Sequence, residues 1–315
     1  MTGRVVLFGG SGFIGTALRG GLHGDVVAPS RSEVDLASAQ AVASSLRQGD
    51  IVVNAAGYAA ATDRSAVGLG RLRRDNVEAV RALARGAAAA DVDRIIHISS
   101  VAAMGHKTGH MIREPALLPP RTPYGQSKRD GEVALLAEAG KVPVTIIRPT
   151  SIFGEGRGLA ALLCRLSDLP VVPVVGRGSA LVPFSYVGNL VAAIDHLIDH
   201  PVPGGGTFIV GDATSYPLLR IVRTLARALG RPHAPVVPVP TLAVRSLGRV
   251  ETAVSRRLGR LPLLDPARIE TLTSSISYST EAFVGATGFE PPYPLETALE
   301  RIARWYRDAR LAAPR

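Results

Sequence analysis

The first half of the chain alternates short apolar runs with stretches whose apolar residues recur at helical spacing. Apolar runs at 4–8, 26–28, 51–54, 94–99 and 144–148 read as strands. The first, Val5-Val6-Leu7-Phe8, has no polar position at all, the mark of a strand buried on both faces. Between the runs the spacing predicts helices near 13–20, 38–47, 76–90 and 122–139. Such alternation predicts an α/β fold: a doubly wound parallel sheet with helices on both faces. Ligands then sit beyond the carboxyl ends of the strands.

After Pro149 the pattern loosens. Pro170, Pro173, Gly176, Gly178, Pro201, Pro203 and Gly204 punctuate short strands and helices, which suits a smaller C-terminal lobe over one edge of the sheet. The expected division is a main domain over 1–150 and a substrate lobe from 151–181 and 213–315, with 182–212 returning to the main domain. Within that return, 182–187 and 207–210 are expected to join the main sheet. In 241–261, Leu247, Val250, Val254 and Leu258 form an apolar stripe, with Arg245, Arg249, Arg256 and Arg260 on another face. A lid helix packing its stripe on the substrate lobe is expected, in preference to a helix lying on a membrane.

Seven residues, Gly9-Gly10-Ser11-Gly12-Phe13-Ile14-Gly15, link the first strand to the first helix. Strand, glycine turn and helix N-terminus together make a site for a dinucleotide's pyrophosphate. Gly9 permits the turn, Gly12 lets the backbone approach the phosphates, and Gly15 allows helix and strand to pack closely. This is the Rossmann arrangement.

Charge and composition narrow the partners. The chain has 36 Lys and Arg against 26 Asp and Glu, a net charge of +10. Lys107, Lys128 and Lys141 are its three lysines, so the positive charge is almost all arginine and is spread along the chain. No basic stripe with interleaved aromatics occurs, so the expected partner is an anionic small molecule and not nucleic acid. No apolar run reaches membrane-spanning length, and a strand starting by residue 4 makes a signal peptide unexpected. A lone cysteine, Cys164, fits a reducing cytoplasm and reads as a packing residue. Membrane association is not expected, and no metal site is either. His106 and His110 are four apart, but Gly105 and Gly109 make that stretch a poor helix, so a substrate-side loop is expected over 105–121.

Tyr124 and Lys128 lie in Tyr-Gly-Gln-Ser-Lys, inside a helix opened by Thr122 as N-cap and Pro123 at its first position. Spacing of four puts both side chains on one face. An ammonium and a helix N-terminus beside a phenol favour the phenolate, so Tyr124 is expected to be acidified and to exchange a proton with an alcohol or ketone. Ser99-Ser100 ends the fourth strand, where a hydroxyl can meet a substrate oxygen. A turn cap is the bland alternative.

Together these parts resemble the extended branch of the short-chain dehydrogenase/reductase superfamily, the NAD-dependent epimerase/dehydratase family. The resemblance rests on Gly9-x-x-Gly12-x-x-Gly15, Asn54-Ala55-Ala56-Gly57, Asn76-Val77, His97-Ile98-Ser99-Ser100, Pro123-Tyr124-Gly125-Gln126-Ser127-Lys128 and Arg148-Pro149-Thr150. Later marks are Tyr186-Val187-Gly188-Asn189-Leu190, Gly288-Phe289 and Trp305-Tyr306. It implies Ser100, Tyr124 and Lys128 as a catalytic triad, and a homodimer through the helices at 76–90 and 122–139. It implies cofactor contacts from Gly9, Ser11, Gly12, Phe13, Ile14 and Gly15, then Ser30, Arg31, Asp35 and Leu36, then Ala55, Ala56, Gly57 and Asn76. Ile98, Tyr124, Lys128, Pro149 and Ile152 complete that set.

The tip of the second strand, Pro29-Ser30-Arg31, holds an arginine and no carboxylate, which favours NADP(H) over NAD(H). Asp35 is placed against adenine. The family's 4,6-dehydratases carry an acidic pair after the catalytic hydroxyl, where Val101-Ala102 stand here, so dehydration is not expected. The resemblance implies an NAD(P)-dependent oxidoreductase on a nucleotide-sugar. Epimerisation with retained cofactor, an apolar ketone substrate as in 3β-hydroxysteroid dehydrogenases, and a non-catalytic dinucleotide sensor are the alternatives. Met104, Arg157 and Arg177 are the candidate substrate contacts.

Overall fold

A computed structural model describes residues 3–59, 65–156, 158–212, 215–257 and 266–312. Six parallel strands form the main sheet, in the order Gly205–Val210, Val144–Pro149, Arg94–Ile98, Ile51–Asn54, Val5–Phe8, Val26–Val27. Side chains alternate across it. Leu7, Val53 and Ile96 face the helices Phe13–Gly21 and Val187–Asp199, packing with Leu18, Leu190 and Ile194. Val6, Phe8, Val52 and Ile95 face Leu83 and Leu135, on the helices Ala79–Ala89 and Pro123–Glu138. Because both faces are covered, the inner strands have no polar alternation to show.

The chain places Val26–Val27 on one side of Val5–Phe8 and then crosses to place Ile51–Asn54 on the other. The carboxyl ends of Val5–Phe8 and Ile51–Asn54 therefore flank the switch point of the sheet, where the fold leaves a crevice.

Three elements differ from expectation. The 207–210 run joins the sheet as expected, within Gly205–Val210 and parallel to Val144–Pro149, but 182–187 does not. Leu181–Val182 pairs antiparallel with Tyr216–Pro217, and Phe184–Tyr186 pairs parallel with Ser151–Phe153. Pro183 lies between them and has no N–H to continue a ladder. Next, the helix expected over 76–90 is the end of a longer run. Ala66–Arg73 passes through a π turn, Arg74–Glu78, into Ala79–Ala89.

The third difference concerns the helix Thr241–Arg257. Its apolar stripe was expected to pack inward, yet Leu247, Val250 and Val254 are 59%, 62% and 50% exposed, while Gly248 and Thr252 are buried. The helix lies beside Pro266–Thr273, its neighbour in the lobe, with small residues buried and the bulky ones left outside. Leu258 and Arg260 lie outside the described residues.

A second core fills the C-terminal lobe, where Phe153 and Phe184 stack at 4.5 Å and pack with Leu163, Ile221 and Leu299. Cys164 is wholly buried there, and burial pushes its thiol up to about 12, so it is a packing residue.

Candidate active site

The glycine turn is built by close approach. Gly9 has φ +84°, and a Cβ on it would lie 2.4 Å from the amide nitrogen of Ala56. A Cβ on Gly15 would fall 2.0 Å from the carbonyl oxygen of Gly9. Turn, helix and the 55–57 loop are thus packed backbone to backbone, a geometry open only to glycine. Asn54 holds the loop, its Oδ1 accepting from the Ala56 amide at 3.0 Å. The helix Phe13–Gly21 starts at Gly12 with no side-chain cap, leaving its first amides for an anion.

These parts wall a cavity of about 440 Å³. Of the expected cofactor contacts, Gly9, Ser11, Gly12, Ser30, Arg31, Asp35, Leu36, Ala55, Ala56 and Gly57 line it. Phe13 is half-exposed, its ring within 3.7 Å of where a Cβ on Gly156 would sit. Ile14 and Ile152 pack against the core, and Pro149 is buried at the end of its strand. Asn76 does not line the cavity but stands behind its wall, its Oδ1 2.9 Å from where a Cβ on Gly57 would sit. It sits in the π turn, accepts from the Tyr58 amide at 2.7 Å, and donates to the Tyr58 carbonyl and the Ser127 hydroxyl, each at 2.9 Å. That pairing makes it a positioning residue for the loop after Gly57.

At one end of the cavity the charges cluster. Arg31 lies 3.5 Å from Asp75, and Arg74 donates to the same carboxylate at 2.8 Å. Arg19 also lines this wall. Glu33, the nearest acid after the second strand, accepts from the Ser30 amide at 2.7 Å, a bond that lowers its pKa. Asp35 accepts from the Ala37 amide at 3.0 Å. Arg19, Arg74 and Asp75 escaped the sequence reading; a π turn leaves no local signal to mark two of them.

The catalytic candidates come together at the other side of the 55–57 loop. Thr122 caps the helix as expected, its Oγ1 accepting from the Gly125 amide at 3.0 Å, with Pro123 in the first turn. A Cβ on Gly125 would lie 2.4 Å from the carbonyl oxygen of Ala102, so this helix rests directly on the turn Val101–Met104. Ser100 begins that turn. Its hydroxyl accepts from the Ala102 amide at 3.1 Å and acts on the phenol of Tyr124, lowering its pKa. Ser100 is thus a turn cap, the bland alternative, with its hydroxyl on the tyrosine's side.

Lys128 is buried and donates from Nζ to the carbonyl oxygen of Ile98 at 2.9 Å. Nζ lies 3.4 Å from where a Cβ on Gly57 would sit, which sets the lysine against the cavity wall. Burial lowers Lys128 to about 8, against the charge of Glu132. Tyr124 differs from expectation: burial raises its phenol, outweighing the lowering by Ser100. Behind the pair, Glu132 and Arg148 form a buried ion pair at 2.7 Å, to which Ser99 donates from its hydroxyl. The Glu132 spacing, four after Lys128, is the one sequence signal for this support.

The substrate candidates separate. Met104 is fully buried with Ile112, Ile209 and Tyr278, which corrects its placement as a substrate contact. A thioether is apolar enough to enter that cluster, where a polar group would go unpaired. Arg177 is exposed on the turn after Val172–Val175, and Arg157 lies outside the described residues. In 105–121, Gly109–Ile112 forms a strand beside Ile276–Tyr278, and His110 meets the Ser277 hydroxyl at 3.0 Å.

A glycine-walled cavity at the switch point, an uncapped helix N-terminus and a cationic rim fit a dinucleotide, and define an α/β nucleotide-binding enzyme. The chain belongs to the NAD dependent epimerase/dehydratase family, whose sequence model matches residues 5–211. It is therefore an NAD(P)-dependent enzyme. It is 29% identical over 274 residues to a UDP-glucose 4-epimerase of Vibrio cholerae, covering 84% of this chain and 79% of that protein. It is 27% identical to the N-acetyl-alpha-D-glucosaminyl-diphospho-ditrans,octacis-undecaprenol 4-epimerase of Escherichia coli, over 97% of this chain and 96% of that one. Among solved structures, RMD of Pseudomonas aeruginosa with NADPH superposes with a TM-score of 0.73 at 18% identity, covering 98% and 100% of the two chains. UDP-glucuronic acid 4-epimerase of Bacillus cereus with NAD gives 0.72 at 15%, covering 97% and 99%. Both share the fold.

Proposed function

We propose that the protein moves hydride to or from a secondary carbon of a sugar carried on a diphosphate, with NADP(H) as the preferred carrier. The observation that carries this is Lys128 set against the Gly57 wall of the cavity, with Tyr124 one turn earlier on the same helix and Ser100 acting on that phenol. The bound nicotinamide supplies or accepts the hydride. Ser100 holds the substrate oxygen, Tyr124 moves the proton on and off that oxygen, and Lys128 keeps positive charge beside the phenol as it ionises. Val101 and Ala102, which follow Ser100, offer no acid to expel water. Two relatives named for sugars on diphosphates support the substrate class.

For NADP(H), the supporting geometry is a rim where Arg31 and Arg74 share one carboxylate, Asp75, while Glu33 is engaged with Ser30. A 2′-phosphate adds charge that this rim can pair. A homodimer through the helix Pro123–Glu138 has matching surface, since Val133 and Leu136 are exposed on it at 63% and 58%.

NADPH oxidation by the purified protein against keto-sugar nucleotides tests the reading. Turnover is expected, with Tyr124→Phe losing about 10²-fold or more in kcat while NADPH affinity holds. Full activity in Tyr124→Phe, or no turnover of any keto-sugar nucleotide by the wild type, rejects it.

A further inference from the structure

The helix Thr241–Arg257 is turned inside out relative to a normal surface helix. Its inward face is small and polar, with Gly248 and Thr252 buried and Val244 and Ser255 half-buried. Its outward sector holds Leu242, Leu247, Val250 and Val254, exposed at 76%, 59%, 62% and 50%. At 100° per residue, Arg245 and Arg249 flank this sector on one side, and Arg257 lies within it. Among the described residues, none of these three arginines enters an ion pair, although sixteen ion pairs form elsewhere among them.

We propose that this helix docks the protein onto an anionic phospholipid surface. Apolar side chains left half or more in water along one sector are unfavourable unless something covers them. An anionic bilayer covers them and pairs the arginines at once: leucine and valine enter the acyl boundary while the guanidinium groups reach back to the headgroups. No helix among the described residues is long and apolar enough to cross a membrane, so the contact is with the surface only. Net charge of +10 adds long-range attraction of the same sign. A second copy of the chain is the weaker occupant, because two such faces would bring unpaired arginines together, and the apolar pair Val133 and Leu136 offers a separate face on Pro123–Glu138. The proposal is independent of the catalytic reading.

Sedimentation of the full chain with vesicles of equimolar phosphatidylglycerol and phosphatidylcholine tests it, with NADPH binding as the check on folding. The wild type is expected to sediment with these vesicles and not with phosphatidylcholine alone. Both Arg245→Glu/Arg249→Glu and Val250→Ser/Val254→Ser should lower the partition coefficient by about tenfold or more while NADPH binding is retained. A tryptophan introduced as Val250→Trp should shift its emission to the blue on adding the anionic vesicles. Three results would overturn the docking role: no sedimentation, equal sedimentation of the charge-reversed variant, or a dimer that Val250→Ser/Val254→Ser dissociates while vesicles leave the wild type unbound.

Discussion

Lys128 reaches across the sheet edge to Ile98, its ammonium nitrogen 2.9 Å from the main-chain oxygen at the tip of the fourth strand. One carbonyl does not replace the water lost on burial, so the lysine is held at about 8. Its charge is thus a load on the fold. In the unfolded chain a lysine titrates near ~10.4. The folded value is the lower one, so the penalty is complete below pH ~8 and is relieved as pH rises from there towards the unfolded value. Lys128→Met should therefore abolish turnover and stabilise the protein at pH 7. Urea unfolding at pH 7 and pH 9.5 checks this: the stabilisation should be smaller at the higher pH by about 2 kcal/mol.

Arg31 at the cavity rim distinguishes the two nicotinamide carriers. It is exposed and lies 3.5 Å from Asp75, which is buried but keeps Arg74 at 2.8 Å, so removing Arg31 leaves no unpaired buried charge. Arg31→Ala should weaken NADPH binding by about tenfold or more, the worth of one charged hydrogen bond, and NADH binding far less. Titration of both dinucleotides by fluorescence measures this. An equal loss for both removes the argument for NADP(H).

How much of this was legible before folding depends on how local each cause is. Thr122 and Pro123 announce a helix start within one turn, and that start is where the structure has it. Runs such as 5–8 announce strands, since burial on both faces leaves nothing polar in them. Pairing partners are another matter: nothing in 182–187 says that Phe184 will lie beside Ser151 and not in the main sheet. Helix 241–257 shows the same limit. Its stripe is plain in the sequence, but periodicity separates two faces without saying which is inside. Tyr124 and Lys128 share a helix face as their spacing requires, yet the direction of the phenol's shift is set by burial, a tertiary property.

Glu132 and Arg148 support the catalytic helix from beneath, 2.7 Å apart and buried. Ser99 and the carbonyl of Glu114 complete the network. Removing one member strands the other charge in the interior. Glu132→Leu should destabilise the protein by about 3–5 kcal/mol, and Glu132→Leu/Arg148→Met should regain most of that. Chemical denaturation of the two variants checks this; equal destabilisation would mean that the pair itself holds the fold together.

Gly131 links the catalytic helix to the π turn. A Cβ there would lie 2.2 Å from the carbonyl oxygen of Asn76, with no flexible side chain in the way to yield. Either the helix Pro123–Glu138 shifts outward or the turn Arg74–Glu78 gives way. Tyr124 and Lys128 move in the first case, and Asn76 loses its hold on Tyr58 in the second. Gly131→Ala should thus destabilise by about 1–3 kcal/mol. It should also lower kcat, although alanine favours the helix and the substituted position lies outside the cavity. A shift of a few tenths of an ångström at Tyr124 falls on proton transfer and much less on binding at the far rim, so NADPH affinity should be nearly unchanged. Steady-state kinetics with NADPH titration separates the two effects. Unaltered kcat in a folded Gly131→Ala protein would show that the contact between helix and π turn does not set the position of the tyrosine.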